Sequence, residues 1–120
     1  FKNCSKLTTI NIGDNVTTIP AYAFSGCDSL TSVRIPVSVT SIGGGAFYDC
    51  NSLTSITIPN SVTSIDQETF MYCYNLSTIN FEGTIEQWNA TTKGKDWKKG
   101  VPNTCQIVCI DGTITLSEEE

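Results

Sequence analysis

The 120-residue sequence contains no histidine and only one methionine. Without histidine, the chain has no Ser-His-Asp or Cys-His arrangement for nucleophilic catalysis and no imidazole general base. Its six cysteines include no C-x₂-C pair, so a zinc site is not expected. The glycines at 43–45 lack the spacing of a phosphate-binding loop. We therefore predict a protein that is not an enzyme and that holds no metal and no cofactor.

Basic residues are also scarce, with seven Lys and Arg against twelve Asp and Glu and a formal net charge of −5. Because nucleic-acid binding needs a basic stripe that neutralises phosphates, no nucleic-acid partner is expected. The lysines at 93–99 are interpreted as a solvated loop rather than a polyanion site. Asp28 and Asp49 are predicted near one corner, where a catalytic carboxylate pair is the alternative to solvated turn residues.

Apolar residues instead recur with a period of 23 residues, and the unit reads F-x-x-C-x-x-L-x-x-I-x-I-P-x-x-V-x-x-I-x-x-x-A. The first position is occupied by Phe1, Phe24, Phe47 and Phe70, and the fourth by Cys4, Cys27, Cys50 and Cys73. A fixed period of roughly 20 to 29 residues is typical of leucine-rich repeats, whose units bury their apolar faces against one another. The predicted fold class is a repeat solenoid, a right-handed coil with parallel strands.

Each coil is predicted to have two straight walls and a bend. Residues 33–35 alternate in polarity, which predicts a short strand with Arg34 pointing outward. Pro36 ends this strand because proline has no N–H to donate. Residues 39–42 predict a second extended segment on the opposite wall, and residues 46–50 predict a short helical or 3₁₀ turn.

Four of the cysteines share one position of the repeat, between Phe and Leu. This regularity predicts a ladder of buried thiols that face the backbone of the neighbouring coil, rather than a disulfide framework. Cys105 and Cys109 lie outside the repeats. They either form a disulfide with each other or pack as thiols, and we favour packing.

The period breaks after residue 83, which predicts repeats over 1–83, about three and a half units. Residues 84–116 are predicted to form a C-terminal cap, and residues 117–120 a frayed tail. Because a solenoid needs its exposed core closed at the end, Trp88 and Trp97 are expected to cover the last coil.

Within the predicted cap, Thr84 and Gln87 have the spacing of a capping box, which predicts a short helix through Trp88 to Ala90. Residues 106–110 predict a strand. Asp111-Gly112 predicts a two-residue hairpin turn, and residues 113–116 are predicted to return as its second strand.

Small polar residues occupy the outward positions of the first wall. This candidate binding face, named the polar face below, consists of Thr31, Ser32, Arg34, Thr54, Ser55, Thr57, Ser77, Thr78 and Asn80. A hydroxyl-rich sheet is also simply soluble, so a face without any ligand is the alternative. The face lacks the aromatic anchors of strong binding sites. Tyr48 and Tyr72 fall at the bend instead, where they either line one edge or are partly buried.

The unit F-x-x-C-x-x-L-T-S-I-T-I-P-x-S-V-T-S-I, clearest from Phe47 to Ile65, resembles the BspA-like leucine-rich repeats of bacterial surface proteins. The stretches G-T-I-E-Q-W, W-K-K-G and V-C-I-D-G-T-I are similar to the endings of such arrays. The resemblance implies a curved solenoid that is secreted or at the cell surface. It also implies host extracellular-matrix or surface proteins as partners, and it carries over no catalytic residue.

Phe1 is equivalent to Phe47, which lies in the bend, so the sequence begins in the middle of a coil. We therefore expect part of a longer array, with an open N-terminal coil that favours end-to-end self-association. No apolar run approaches the roughly 18 residues that span a membrane. The predicted function is a non-catalytic protein-recognition or adhesion module. A structural spacer without a ligand and a glycan-binding module are the alternatives.

Overall fold

Alternation of apolar and small polar residues gives the coils after the first one short strands on two walls, and the first coil a strand on one wall. The computed structural model describes residues 1–116, and their strands form two sheets. The four-stranded sheet contains, in spatial order, β1 (Thr18–Ile19), β3 (Ser41–Ile42), β5 (Ser64–Ile65) and β7 (Thr92–Lys93). The five-stranded sheet contains β2 (Ser32–Arg34), β4 (Ser55–Pro59), β6 (Thr78–Glu82), β8 (Gln106–Cys109) and β9 (Gly112–Thr115). The helix of this part of the chain is α1, Ile85–Ala90.

Strands of neighbouring coils are parallel and pair at equivalent positions of the repeat. Val33 lies opposite Ile56, which in turn lies opposite Ile79. In the other sheet, Ile19 lies opposite Ile42. Because the register is kept from coil to coil, the inward side chains stack directly and all five are buried. Each such burial contributes about 1.5–3 kcal/mol.

A column of phenylalanine rings runs through the core. The ring centroids are 5.9 Å apart for Phe1 and Phe24, 5.5 Å for Phe24 and Phe47, and 5.8 Å for Phe47 and Phe70. The column ends on the indole of Trp97, which meets Phe70 edge to face at 6.3 Å. Phe1, in the first coil, is 76% exposed, whereas the later rings are buried.

The cysteine column links each coil to the one before it. The Sγ atoms of Cys27, Cys50 and Cys73 donate to the carbonyl oxygens of Phe1, Phe24 and Phe47 at 3.2, 3.1 and 3.1 Å. All six cysteines are thiols. The predicted thiol ladder is therefore confirmed, and Cys105 and Cys109 are buried thiols rather than a disulfide.

The bend differs from the predicted helical turn over residues 46–50. The structure has successive turns there, because Gly45 and Asp49 adopt left-handed φ values of 65° and 60°. Alternate N–H groups then point away from the local turn. The N–H of Phe47, for example, donates to the carbonyl of Thr69 in the next coil at 3.0 Å. A helix would direct those N–H groups along its own axis. In this bend they instead form hydrogen bonds between coils.

Parallel pairing continues beyond residue 83. Thr92 pairs with Ser64, and Gln106 pairs with Thr78, so residues 84–109 complete a further coil. This coil is longer than the repeats because it includes α1. Trp88 of α1 is fully buried and lies against Phe81, with ring centroids 5.3 Å apart.

The predicted capping box is present at the start of α1. Thr84 Oγ1 accepts a hydrogen bond from Gln87 N at 3.1 Å, and Gln87 Oε1 accepts from Thr84 N at 2.9 Å. The hairpin turn was predicted one residue too late. Cys109 pairs with Gly112, so the loop residues are Ile110 and Asp111. Asp111 is held there because its Oδ1 accepts from Ile85 N at 2.9 Å, at the first turn of α1.

Candidate functional site

The polar face lies on the outer side of β2, β4 and β6. Ser32, Ser55 and Thr78 form one row across the three strands. Arg34, Thr57 and Asn80 form a second row, and Thr31, Thr54 and Ser77 come immediately before these rows in the chain. All nine side chains are exposed or half-buried. The structure thus brings every predicted residue of the face together on one surface.

Arg34 is the cation of this face and reaches across an intervening strand. Its Nη2 lies 3.0 Å from Oε2 of Glu82 on β6. Since β4 lies between β2 and β6, the guanidinium group extends over β4 to make this ion pair. The Arg34 side chain is 70% exposed, so the pair is screened by water and contributes little to stability. Its exposed N–H groups are available to an outside acceptor.

Some hydroxyl groups of the face are occupied by bonds between coils. Thr54 Oγ1 donates to the carbonyl of Thr31 at 3.1 Å, and Ser77 Oγ donates to the carbonyl of Thr54 at 3.0 Å. These two hydroxyls therefore stabilise the stack and present only acceptor lone pairs to a ligand. Thr57 and Asn80, in the second row, make no side-chain hydrogen bond of this kind within residues 1–116.

The same surface extends further than the sequence predicted, onto β8. Gln106 continues the row of Thr78, and Val108 continues the row of Asn80. Val108 is 38% exposed, which adds an apolar contact at the edge of a polar surface. Residues 106–110 were predicted as a strand, but they were assigned to a cap, and that assignment did not indicate that the strand extends the polar face.

A recess of about 300 Å³ lies beside Arg34 at the N-terminal edge of the face. It is lined by Asn11, Asp14 and Val37, among others, and Val37 is 74% exposed. A partner side chain can enter this recess while its neighbours contact Arg34. The face therefore combines a flat polar centre with a small pocket at one side.

The buried thiols do not offer nucleophilic chemistry. Burial raises the pKa of Cys50 from 9.0 to about 12 and raises that of Cys105 to about 11. Burial also raises the pKa of Cys73. Because the thiolate is the reactive species, these groups are inert at neutral pH.

No three His, Cys, Asp or Glu side chains converge within residues 1–116 as a metal site would require. No helix in the same range is both long and apolar enough to cross a membrane.

The family model described as the BspA type leucine rich repeat region matches residues 1–92 in six copies. Comparison with curated proteins gives no match. Among solved structures, a leucine rich cell surface protein from Faecalibacterium prausnitzii A2-165 is similar, with 40% identity and a TM-score of 0.74. That match covers 75% of this chain and 24% of the other.

Two further solved structures are similar, each with 28% identity and a TM-score of 0.63. The leucine rich repeat protein of T. pallidum matches over 78% of this chain and 47% of its own. A leucine-rich repeat protein from Bacteroides ovatus ATCC 8483 matches over 84% and 29%. The chain thus spans between about a quarter and a half of the solved proteins that it matches. The predicted leucine-rich repeat fold is confirmed, and the chain belongs to the BspA-type leucine-rich repeat family.

Proposed function

We propose that the chain is a non-catalytic recognition module of a secreted or cell-surface bacterial protein, and that it binds a protein through the polar face. The observation that carries this proposal is the continuous outward surface of β2, β4, β6 and β8, held in register by the core. The solved relative from Faecalibacterium prausnitzii is described as a cell surface protein, which supports this location. A host extracellular-matrix or surface protein is the proposed partner class.

The proposed mechanism is repetition of weak contacts on a rigid surface. Equivalent residues of successive coils, such as Ser32, Ser55 and Thr78, are presented in one row. A partner with repeated polar groups can therefore contact several coils at once, and the contacts add as avidity. Arg34 supplies the strongest single contact because its guanidinium group can bind a carboxylate in two places.

The test is a screen of matrix and serum proteins against the immobilised chain, followed by titration of any partner found. The variant Thr57→Arg places a large charged side chain at the centre of the polar face. The control Thr63→Arg makes the same change at an exposed position on the opposite wall. The proposal expects Thr57→Arg to lose binding while Thr63→Arg keeps it, with both variants melting like the parent chain.

Three results would overturn this proposal. Equal binding by both arginine variants would place the contact elsewhere on the molecule. Retention of immobilised sugars that carry no protein would make the chain a glycan-binding module. A screen without any saturable partner, repeated with a longer array, would favour a structural spacer.

A second proposed contact is end-to-end self-association through the first coil. An apolar recess of about 440 Å³ is present there, lined in part by Phe1, Ile12 and Phe24. Burying this surface against another coil is favourable because apolar area leaves water. Sedimentation velocity over a range of concentrations tests this contact, and Ile12→Lys is expected to abolish any dimer. A chain that sediments as a monomer at all concentrations contradicts it.

A further inference from the structure

Four tyrosines form a continuous row of rings at the bend, and this row is named the tyrosine strip. Its members are Tyr22, Tyr48, Tyr72 and Tyr74. Neighbouring ring centroids along the row are 6.4, 5.4 and 5.8 Å apart. Tyr22 and Tyr74 are 41% and 56% exposed, and the two rings between them are half-buried. The strip is thus an aromatic surface open to solvent along three coils.

The tyrosine strip is not a by-product of the 23-residue repeat. The phenylalanine column of the core arises because one repeat position is filled by Phe in every coil. The tyrosines come from four different positions: two before the Phe (Tyr22), one after it (Tyr48), two after it (Tyr72) and one after the Cys (Tyr74). Their rings nevertheless meet in space, so the repeat pattern does not account for the row.

Two of these tyrosines are held in an unfavourable backbone conformation. Tyr22 has a φ of 58° and Tyr72 has a φ of 66°, in the left-handed region that bulky residues avoid. The equivalent positions of the other coils have the same conformation; Gly26 and Asp49 correspond to Tyr72, and Gly45 and Glu68 correspond to Tyr22. The bend therefore takes this conformation whichever residue fills it, and the backbone does not require a tyrosine there.

The centre of the strip is acidic. Asp49 follows Tyr48 directly, and Glu68 lies at the same bend one coil further on. Partial burial raises the pKa of Tyr48, and the charges of Glu68 and Asp49 act in the same direction. A cation placed over Tyr48 would meet both carboxylates and an electron-rich ring face.

A lysine lies at the Tyr22 end of the strip. Lys2 Nζ lies over the ring of Tyr22, 5.7 Å from its centroid, so this ring accepts a cation within the chain itself. Because like charges repel, this end disfavours a partner that would place a second cation there.

We propose that the tyrosine strip is a second interaction surface, which seats one arginine or lysine side chain of an extended partner segment over Tyr48. The aromatic rings on either side would contact apolar parts of the same segment. Glu68 and Asp49 would pair with the cation, and Lys2 would disfavour a second positive charge at the Tyr22 end. This inference does not depend on the polar face, because it uses different residues at a different part of the coil.

The test is a nuclear magnetic resonance titration of the whole chain with N-acetyl-arginine methylamide. The matched probe is the citrulline analogue, which has nearly the same shape but no charge. We expect the arginine probe to shift the ring resonances of Tyr48 in a saturable way. The citrulline probe should bind between about twofold and thirtyfold more weakly.

Variants distinguish the contribution of the Tyr48 ring from that of the neighbouring carboxylates. Tyr48→Phe keeps the aromatic face and should retain most of the response, whereas Tyr48→Leu should lose it. Glu68→Gln should weaken the response, and Glu86→Gln, which makes the same change at an exposed carboxylate of α1, should not. Amide spectra of each variant report whether the fold is kept, and the comparison of the two probes needs no variant at all.

Two outcomes would overturn the inference. An equal response to the arginine and citrulline probes would show that charge does not matter at the strip. A neutral oligosaccharide that shifts the same resonances at lower concentration than the arginine probe would make the strip a sugar platform instead.

Discussion

Cys50 Sγ donates a hydrogen bond to the carbonyl oxygen of Phe24 at 3.1 Å, and the two residues belong to successive coils. Cys73 makes the same bond to Phe47. The Phe24 carbonyl also accepts a hydrogen bond from Cys27 N at 3.3 Å, so the thiol supplies a second bond to an oxygen that has two lone pairs. The cysteine of the repeat therefore combines a small buried volume with a donor directed at the neighbouring coil.

Thiol reactivity should follow position in the stack. Cys4 is only half-buried in the first coil, whereas Cys50 and Cys73 are fully buried. We expect a disulfide reagent at pH 8 to modify Cys4 first in the native protein, and to modify Cys50 and Cys73 only as fast as the chain unfolds. Mass spectrometry of timed, quenched samples measures the order. Rapid native modification of Cys50 would contradict the described packing.

Alkaline pH should destabilise the fold through the same thiols. Burial raises the pKa of Cys50 from 9.0 to about 12, so between these values the unfolded thiol ionises and the folded one stays protonated. The unfolded state then binds fewer protons, and the free energy of unfolding falls as pH rises, by up to about 1.4 kcal/mol per pH unit for one such group. The stabilising effect is complete below pH 9.

Urea unfolding at pH 8 to 11 measures this dependence. Cys50→Ser is the matched variant, because serine keeps a donor for the Phe24 carbonyl but does not ionise in this range. The variant should show a shallower fall of stability with pH than the parent chain. The same slope in both proteins would exclude Cys50 as a source of the effect.

Leu53→Ala should cost about 2–5 kcal/mol of unfolding free energy, because Leu53 is fully buried in an inner coil and its removal leaves a cavity. Leu7 occupies the equivalent position in the first coil and is only half-buried. Leu7→Ala is therefore expected to cost less. Equal losses in urea unfolding would mean that the first coil is packed as tightly as the inner ones.

The capping box gives a smaller and local prediction. Thr84→Ala removes the acceptor for Gln87 N and should cost about 0.5–2 kcal/mol, while Thr84→Ser keeps the oxygen and should be close to neutral. Amide hydrogen exchange of α1 measures the effect where it arises. If exchange in α1 is unchanged by Thr84→Ala, tertiary contacts of Trp88 alone stabilise the helix.

The stack of coils was predictable because its chemistry is periodic. Phe47 and Leu53 each have equivalents one repeat away, so the sequence itself shows which residues share the core. The coil over residues 84–109 was not recognised from the sequence, because α1 lengthens it and its residues no longer follow the 23-residue period. The pairing of Thr92 with Ser64 and of Gln106 with Thr78 reveals the continuation.

The two candidate surfaces also differ in how far the sequence predicts them. The polar face follows from strand alternation, so its nine residues were found before the structure, although the ion pair of Arg34 with Glu82 was not. That pair joins residues two coils apart and depends on side-chain reach. Tyr48 and Tyr72 were predicted at the bend, but the row of ring contacts was not, because Tyr22 and Tyr48 share no repeat position and meet only through the geometry of the bend.

Arg34 should separate stability from binding. Its ion pair with Glu82 is exposed, so Arg34→Ala is expected to change the unfolding free energy by no more than about 1 kcal/mol. A double-mutant cycle with Glu82→Gln measures the coupling between the two side chains. If the polar face binds a protein, Arg34→Ala should weaken that binding by much more than it weakens the fold, whereas Glu82→Gln should free the guanidinium group and preserve or strengthen binding. A partner that binds the Arg34→Ala variant as well as the parent chain would show that Arg34 serves only the intramolecular pair.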